Sequence, residues 1–138
     1  MANLFAYGTL MCEDIMKSVA GYLPGSQKGV LYDYWRLEVV NEHYPGLVAG
    51  EGGVVEGVVY LDISGEGWDR LDSFEGDLYS RQEVEVKLDD GSVLSVYTYV
   101  VKEKFTHRLN QSEWSFDRFL EKGKGAFVSF YKGYDEIS

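Results

Sequence analysis

Apolar positions recur in short blocks whose period changes along the chain. Residues 3–7 form an apolar stretch that stops at Gly8-Thr9, and within residues 12–19 Ile15, Met16 and Val19 recur at helical spacing. A strand, a tight loop and a helix are predicted there. Residues 21–29 carry Gly, Pro and Ser and predict a loop, whereas residues 30–40 are an aromatic and aliphatic run suited to a strand. Residues 41–53 hold five glycines or prolines and two acids, which predicts a long turn region around His43-Tyr44-Pro45-Gly46. Residues 54–63 are β-branched and read as a central strand, with Gly57 marking a bulge or the close approach of another group.

Ser64 is suited to cap a helix over residues 65–75, in which Trp68, Leu71 and Glu75 fall at i, i+3 and i+7 and share one face. That spacing turns Glu75 inward. A carboxylate on a buried face costs several kcal/mol unless it is protonated, paired or used, so Glu75 is a candidate functional group; a helix that ended early would leave it solvated instead. Further on, Val84, Val86 and Leu88 alternate with Glu83, Glu85 and Lys87, and Asp89-Asp90-Gly91 turns the chain into residues 92–101. This predicts a hairpin. From Ser112 onward Trp114, Phe116, Phe119, Leu120, Phe127, Phe130 and Tyr131 recur at roughly helical intervals interrupted by Gly123 and Gly125, which predicts two short helices. The mixed order of elements fits an α+β fold, a small mixed β-barrel with flanking short helices.

The length of 138 residues fits a single domain over residues 1–138, and 45% hydrophobic residues suffice for a core. Thirteen basic against 23 acidic residues give a net charge of −10, which repels polyanions and anionic membrane surfaces. Nucleic acid and membrane are therefore not expected partners. Residues 1–14 lack a basic leader and a long apolar run, so a cytoplasmic protein is expected. Cys12 is the sole cysteine, which excludes an intrachain disulfide and points to packing at a helix start. His43 and His107 lie far apart with no ligand-spaced acids, so no metal site is expected. The lysines at 102, 104, 122 and 124 are diluted by neighbouring acids and read as solvated faces.

Two features carry candidate chemistry. Tyr7-Gly8-Thr9-Leu10 ends a strand just before a helix, an arrangement that aims backbone N–H groups at one spot and suits a carboxylate or an oxyanion. Beside such a cradle, an inward Glu75 describes a site for an amino-acid substrate undergoing proton transfer. Glu75 and Asp77 are two residues apart and do not face each other on a helix, which rules them out as a glycosidase pair.

Tyr7-Gly8-Thr9-Leu10, the central Val55-Glu56-Gly57-Val58-Val59-Tyr60, and Leu71-Asp72-Ser73-Phe74-Glu75-Gly76 followed by Tyr79 and Arg81 occur in that order. Together they resemble the gamma-glutamylcyclotransferase-like superfamily, on the side of the AIG2-like and gamma-glutamylamine cyclotransferase proteins, over residues 4–119. The resemblance implies a small mixed β-barrel, catalysis by Glu75 as acid and base, and substrate binding by Tyr7, Gly8, Thr9 and Leu10. Tyr99 matches a tyrosine on a late family strand and is expected to donate a hydrogen bond to the substrate. Tyr79 and Arg81 are candidates for orienting Glu75 or its loop, packing and surface pairing being the alternative. The implied reaction closes a γ-glutamyl group to 5-oxoproline and releases the attached amine, with no cofactor. Thr9 departs from the Tyr-Gly-Ser loop usual in the glutathione-degrading branches, which argues against glutathione, and residues 41–53 would help to select the leaving amine where they border the pocket. An idle barrel of the same fold, binding a small carboxylated ligand or a protein partner, is the competing reading.

Overall fold

The computed structural model describes residues 2–130, with side chains to Phe127. Tyr131 and the side chain of Phe130, counted above among the C-terminal aromatic residues, lie outside the described residues. In chain order the elements are β1 (Ala2–Ala6), α1 (Glu13–Ala20), β2 (Ser26–Val39), β3 (Pro45–Ile63), α2 (Gly65–Glu75), β4 (Tyr79–Leu88), β5 (Val93–Val101), β6 (Leu109–Glu113), α3 (Phe116–Arg118) and α4 (Lys124–Phe130). A π-helical stretch, Phe119–Gly123, joins the last two helices.

The strands run β3-β1-β5-β4-β2, and a further β2–β3 pairing closes them into a five-stranded barrel. β1 is antiparallel to β3 but parallel to β5, which makes the barrel mixed. β6 extends β2 beyond the ring, pairing Glu113 with Leu37 and Leu109 with Val39.

Alternation along the strands divides the buried residues into two cores. Phe5, Leu31, Val55, Val59, Val84, Val86, Val96 and Val100 belong to one cluster, drawn from all five barrel strands and from no helix; this is the barrel interior. Leu4, Ala6, Tyr60, Tyr79, Tyr99 and Val101 point the other way and meet Ile15, Met16 and Val19 of α1, Leu71 of α2 and Phe119. The helices thus cover one outer flank of the barrel. Cys12 is buried in this second core as the N-cap residue of α1, in keeping with the packing role expected of it.

The capping prediction for α2 holds: the Gly67 N–H donates to Ser64 Oγ at 3.0 Å. The helix stops at Glu75 because Gly76 turns the chain with φ +73°, in the region that favours glycine. The hairpin of β4 and β5 pairs in register from Tyr79–Val101 to Lys87–Val93.

Three expectations are corrected. Residues 41–53 are not one long turn, because β3 begins at Pro45 and only the segment up to Tyr44 turns. The glycines there serve close approach: a Cβ on Gly46 would come within 2.5 Å of Val101, one on Gly50 within 2.5 Å of the Trp35 ring, and one on Gly53 within 2.0 Å of the Tyr34 carbonyl oxygen. The loop predicted for residues 21–29 ends early, since β2 starts at Ser26 and pairs with Tyr60. Ser112 lies in β6 rather than at a helix start, and the helices after it follow one another through the π-helical stretch.

Candidate active site

Where the end of β1 meets the end of α2, the chain encloses a cavity of about 720 Å³. Glu75, Tyr7, Gly8, Thr9, Leu10, Tyr79 and Tyr99, the candidates singled out from the sequence, all line it. Residues 41–45, the turn and the first residue of β3, form another wall, so the condition under which residues 41–53 would bear on the leaving amine is met by this part of them. Arg81 is not among the lining residues.

Each wall has a local cause. After β1, a short 3₁₀ turn (Thr9–Met11) begins with the Met11 N–H donating to the Gly8 carbonyl at 3.0 Å. The N–H groups of Thr9 and Leu10 precede that first bond of the turn, as at any helix start. Gly8 is needed for contact: a Cβ there would lie 2.7 Å from the Pro45 ring, which is too rigid to give way. Arg36 fixes the same loop from outside, its Nη1 donating to the Tyr7 carbonyl at 2.9 Å while its guanidinium lies 5.3 Å from the centre of the Trp114 ring.

The tyrosines are committed to protein partners. Tyr7 donates to the Tyr99 carbonyl at 2.6 Å, and Tyr79 donates to the Pro45 carbonyl at 2.6 Å. Tyr99 donates to Asp72 Oδ1 at 2.7 Å. Burial raises the pKa of all three, so they stay protonated and remain donors.

Glu75 is half-buried: part of it opens on the cavity while protein crowds the rest. That loss of hydration, with a smaller push from the Asp72 carboxylate, raises its pKa to about 8. Such a group exchanges a proton near neutral pH, where an ordinary glutamate is fully ionised. The inward turn of Glu75 was legible in its spacing from Trp68 and Leu71. Asp72 and Arg36 were not singled out for a role: an exposed aspartate next to a helix face and an arginine within an aromatic strand carry no periodic signal.

Among the described residues no three of His, Cys, Asp or Glu are grouped to hold a metal ion, and no helix is long and apolar enough to cross a membrane. His43 contributes to the cavity wall, and its carbonyl accepts from Trp114 Nε1 at 2.9 Å.

Comparison with known proteins agrees with this architecture. AIG2-like protein C of Arabidopsis thaliana is 33% identical over 135 residues, covering 97% of this chain and 78% of its own. AIG2-like protein D of the same plant is 28% identical over 138 residues, covering 99% and 90%. A solution structure of a further Arabidopsis thaliana protein superposes with a TM-score of 0.73 at 26% identity, over 95% of this chain and 88% of that one. The family model described as "Gamma-glutamyl cyclotransferase, AIG2-like" matches residues 4–116, and the chain belongs to that family.

Proposed function

We propose that this protein is a gamma-glutamylcyclotransferase that converts a γ-glutamyl amine or γ-glutamyl amino acid to 5-oxoproline and frees the amine. The observation that carries this reading is a single carboxyl group, Glu75, raised to a pKa of about 8 and lining the same cavity as the Tyr7–Leu10 loop.

The reaction is an internal acyl transfer. The α-nitrogen of the substrate bonds to its own γ-carbonyl carbon, the bond from that carbon to the outer nitrogen breaks, and no oxidation state changes. Protons leave the α-ammonium as the ring closes, and the departing nitrogen gains them. Ionised Glu75 takes a proton from the α-nitrogen and, once protonated, delivers it to the leaving nitrogen. A pKa near the working pH keeps the two transfers balanced. Holding the γ-glutamyl chain folded supplies proximity, and the Thr9 and Leu10 N–H groups suit a substrate carboxylate or the developing oxyanion. The described lining includes two carboxylates, Glu42 and Glu75, and neither lysine nor arginine, so backbone N–H groups are the natural partners of a substrate anion.

The test is 5-oxoproline release from a panel of γ-glutamyl amines and γ-glutamyl dipeptides. The intact protein should release it, with kcat/KM rising from pH 6 to 8 as Glu75 ionises, and Glu75→Gln should lose about 10³-fold. Release that survives Glu75→Gln, or no release across the panel, would overturn the reading.

A further inference from the structure

Asp72 and Arg81 lie just behind the cavity wall and form a built cluster. Asp72 stands three residues before Glu75 on α2, so the two carboxylates share a side of the helix. One oxygen of Asp72 accepts from the Tyr99 hydroxyl at 2.7 Å, and the other pairs with Arg81 Nη1 at 3.2 Å. The Arg81 guanidinium is itself clamped, 4.6 Å from the centre of the Trp68 ring and 5.6 Å from that of Tyr97. Those rings meet edge to face with centroids 5.8 Å apart. Neither Asp72 nor Arg81 lines the cavity, whereas both groups reached through Asp72, Tyr99 and Glu75, do.

We infer that Asp72 and Arg81 are positioning residues: a carboxylate–guanidinium pair that sets the direction of the Tyr99 hydroxyl and the basicity of Glu75 without touching substrate. In its catalytic consequence this rests on the reaction proposed above. The charge argument does not depend on that reaction. The ionisable groups around Glu75 are Tyr7, Tyr44, Tyr79 and Tyr99, each kept neutral by burial, Glu42 and His43 on another wall of the cavity, and Asp72 on its own helix, whose carboxylate is the charge that acts on Glu75. Arg81 offsets part of the Asp72 charge. Loss of Asp72 therefore makes Glu75 easier to ionise, and loss of Arg81 makes it harder. The opposite signs identify an electrostatic role, since loss of a merely structural tie between α2 and β4 moves stability alone.

The experiment follows the Glu75 carboxyl by carbon NMR in glutamate-labelled protein, assigned with Glu75→Gln, across pH in the intact chain, Asp72→Asn, Arg81→Gln and Arg81→Lys. The pH profile of 5-oxoproline release is recorded on the same samples. The expected result is a Glu75 midpoint that falls in Asp72→Asn, rises in Arg81→Gln and stays close to that of the intact chain in Arg81→Lys. With it, kcat/KM should drop about tenfold in Asp72→Asn as Tyr99 loses its charged acceptor. Midpoints that do not move, or that move the same way in Asp72→Asn and Arg81→Gln, overturn the inference, whatever the melting temperatures do. If Asp72→Asn fails to fold, the Arg81 pair decides: a Glu75 midpoint that does not rise in Arg81→Gln, or that rises equally in Arg81→Lys, overturns the inference. Failure of the cyclotransferase reading shows separately, as absence of 5-oxoproline from the intact protein.

Discussion

The two cores of this small protein are built from different chemistry. Inside the barrel the packing is dominated by aliphatic side chains such as Leu31, Leu47, Val55, Val59 and Val86, which ask only for shape. The flank beneath the helices contains Tyr60, Tyr79, Tyr99 and Trp114, and each polar hydrogen there ends on a specific acceptor: the carbonyls of Leu10, Pro45 and His43, and the carboxylate of Asp72. Leu10, Pro45 and His43 all line the cavity. Directional bonds thus hold the segments where geometry matters for chemistry, while undirected burial supplies the scaffold. The interior supplies most of the scaffold and the flank most of the site, and Tyr7, which belongs to the interior cluster yet lines the cavity, ties the two through its bond to the Tyr99 carbonyl.

The strongest way to test that division is to damage the scaffold alone. Leu31→Ala removes a side chain that is 2% exposed, lies in the barrel interior and does not line the cavity. A loss of about 3–4 kcal/mol in unfolding free energy is expected from the lost transfer and the void left behind. Denaturant titration measures it. In the fraction still folded, the Glu75 titration midpoint should not move; a shifted midpoint would show that interior packing and site are coupled and would break the comparison.

The complementary change acts on the site and stabilises the protein. Glu75 has a folded-state pKa raised from 4.5 to about 8. Between those values the folded chain binds a proton that the unfolded chain releases more readily, so stability falls as pH rises through that window. Glu75→Gln removes this penalty and should stabilise the fold by up to about 5 kcal/mol above pH 8, with the gain vanishing below about pH 4.5. Melting curves of both proteins at pH 4, 6 and 8.5 test it. A constant difference across pH would mean that Glu75 is not the strained group the flank is built to hold.

How much of this was legible in the sequence follows the same division. The alternation of Val84, Val86 and Leu88 with charged neighbours disclosed β4 because one face is interior and the other is solvent. Glu75 was legible for a related reason, since a carboxylate among apolar residues at helical spacing violates its own pattern. The glycines of β3 misled, because Gly46, Gly50 and Gly53 make room for Val101, Trp35 and Tyr34, and such partners are set by strand pairing that local composition does not record. β6 gave no signal at all: four of its five residues are exposed, so no apolar face repeats. Tyr79 and Tyr99 were identified through family resemblance, since a tyrosine in a strand looks alike whether its hydroxyl meets water, a carbonyl or Asp72.

The smallest predicted effect gives the finest comparison, because it sets one hydrogen bond in each region against its counterpart. Tyr79 donates to the buried Pro45 carbonyl at 2.6 Å, and Thr98, which is fully buried in the barrel wall, donates to the Phe5 carbonyl at 2.8 Å. Tyr79→Phe and Thr98→Val each remove the hydroxyl and leave the acceptor unpartnered, and each should cost about 1 kcal/mol of stability. Their effects on the site should differ. Pro45 presses on Gly8, whose missing Cβ makes that contact possible, so releasing the Pro45 carbonyl loosens the loop that precedes the Thr9 and Leu10 N–H groups. Tyr79→Phe should therefore raise KM about threefold while leaving kcat nearly unchanged, the pattern of weakened uniform binding. Thr98→Val should leave both constants unchanged. Equal KM values in the two variants would show that the flank's hydrogen bonds, like the interior's packing, merely hold the fold together.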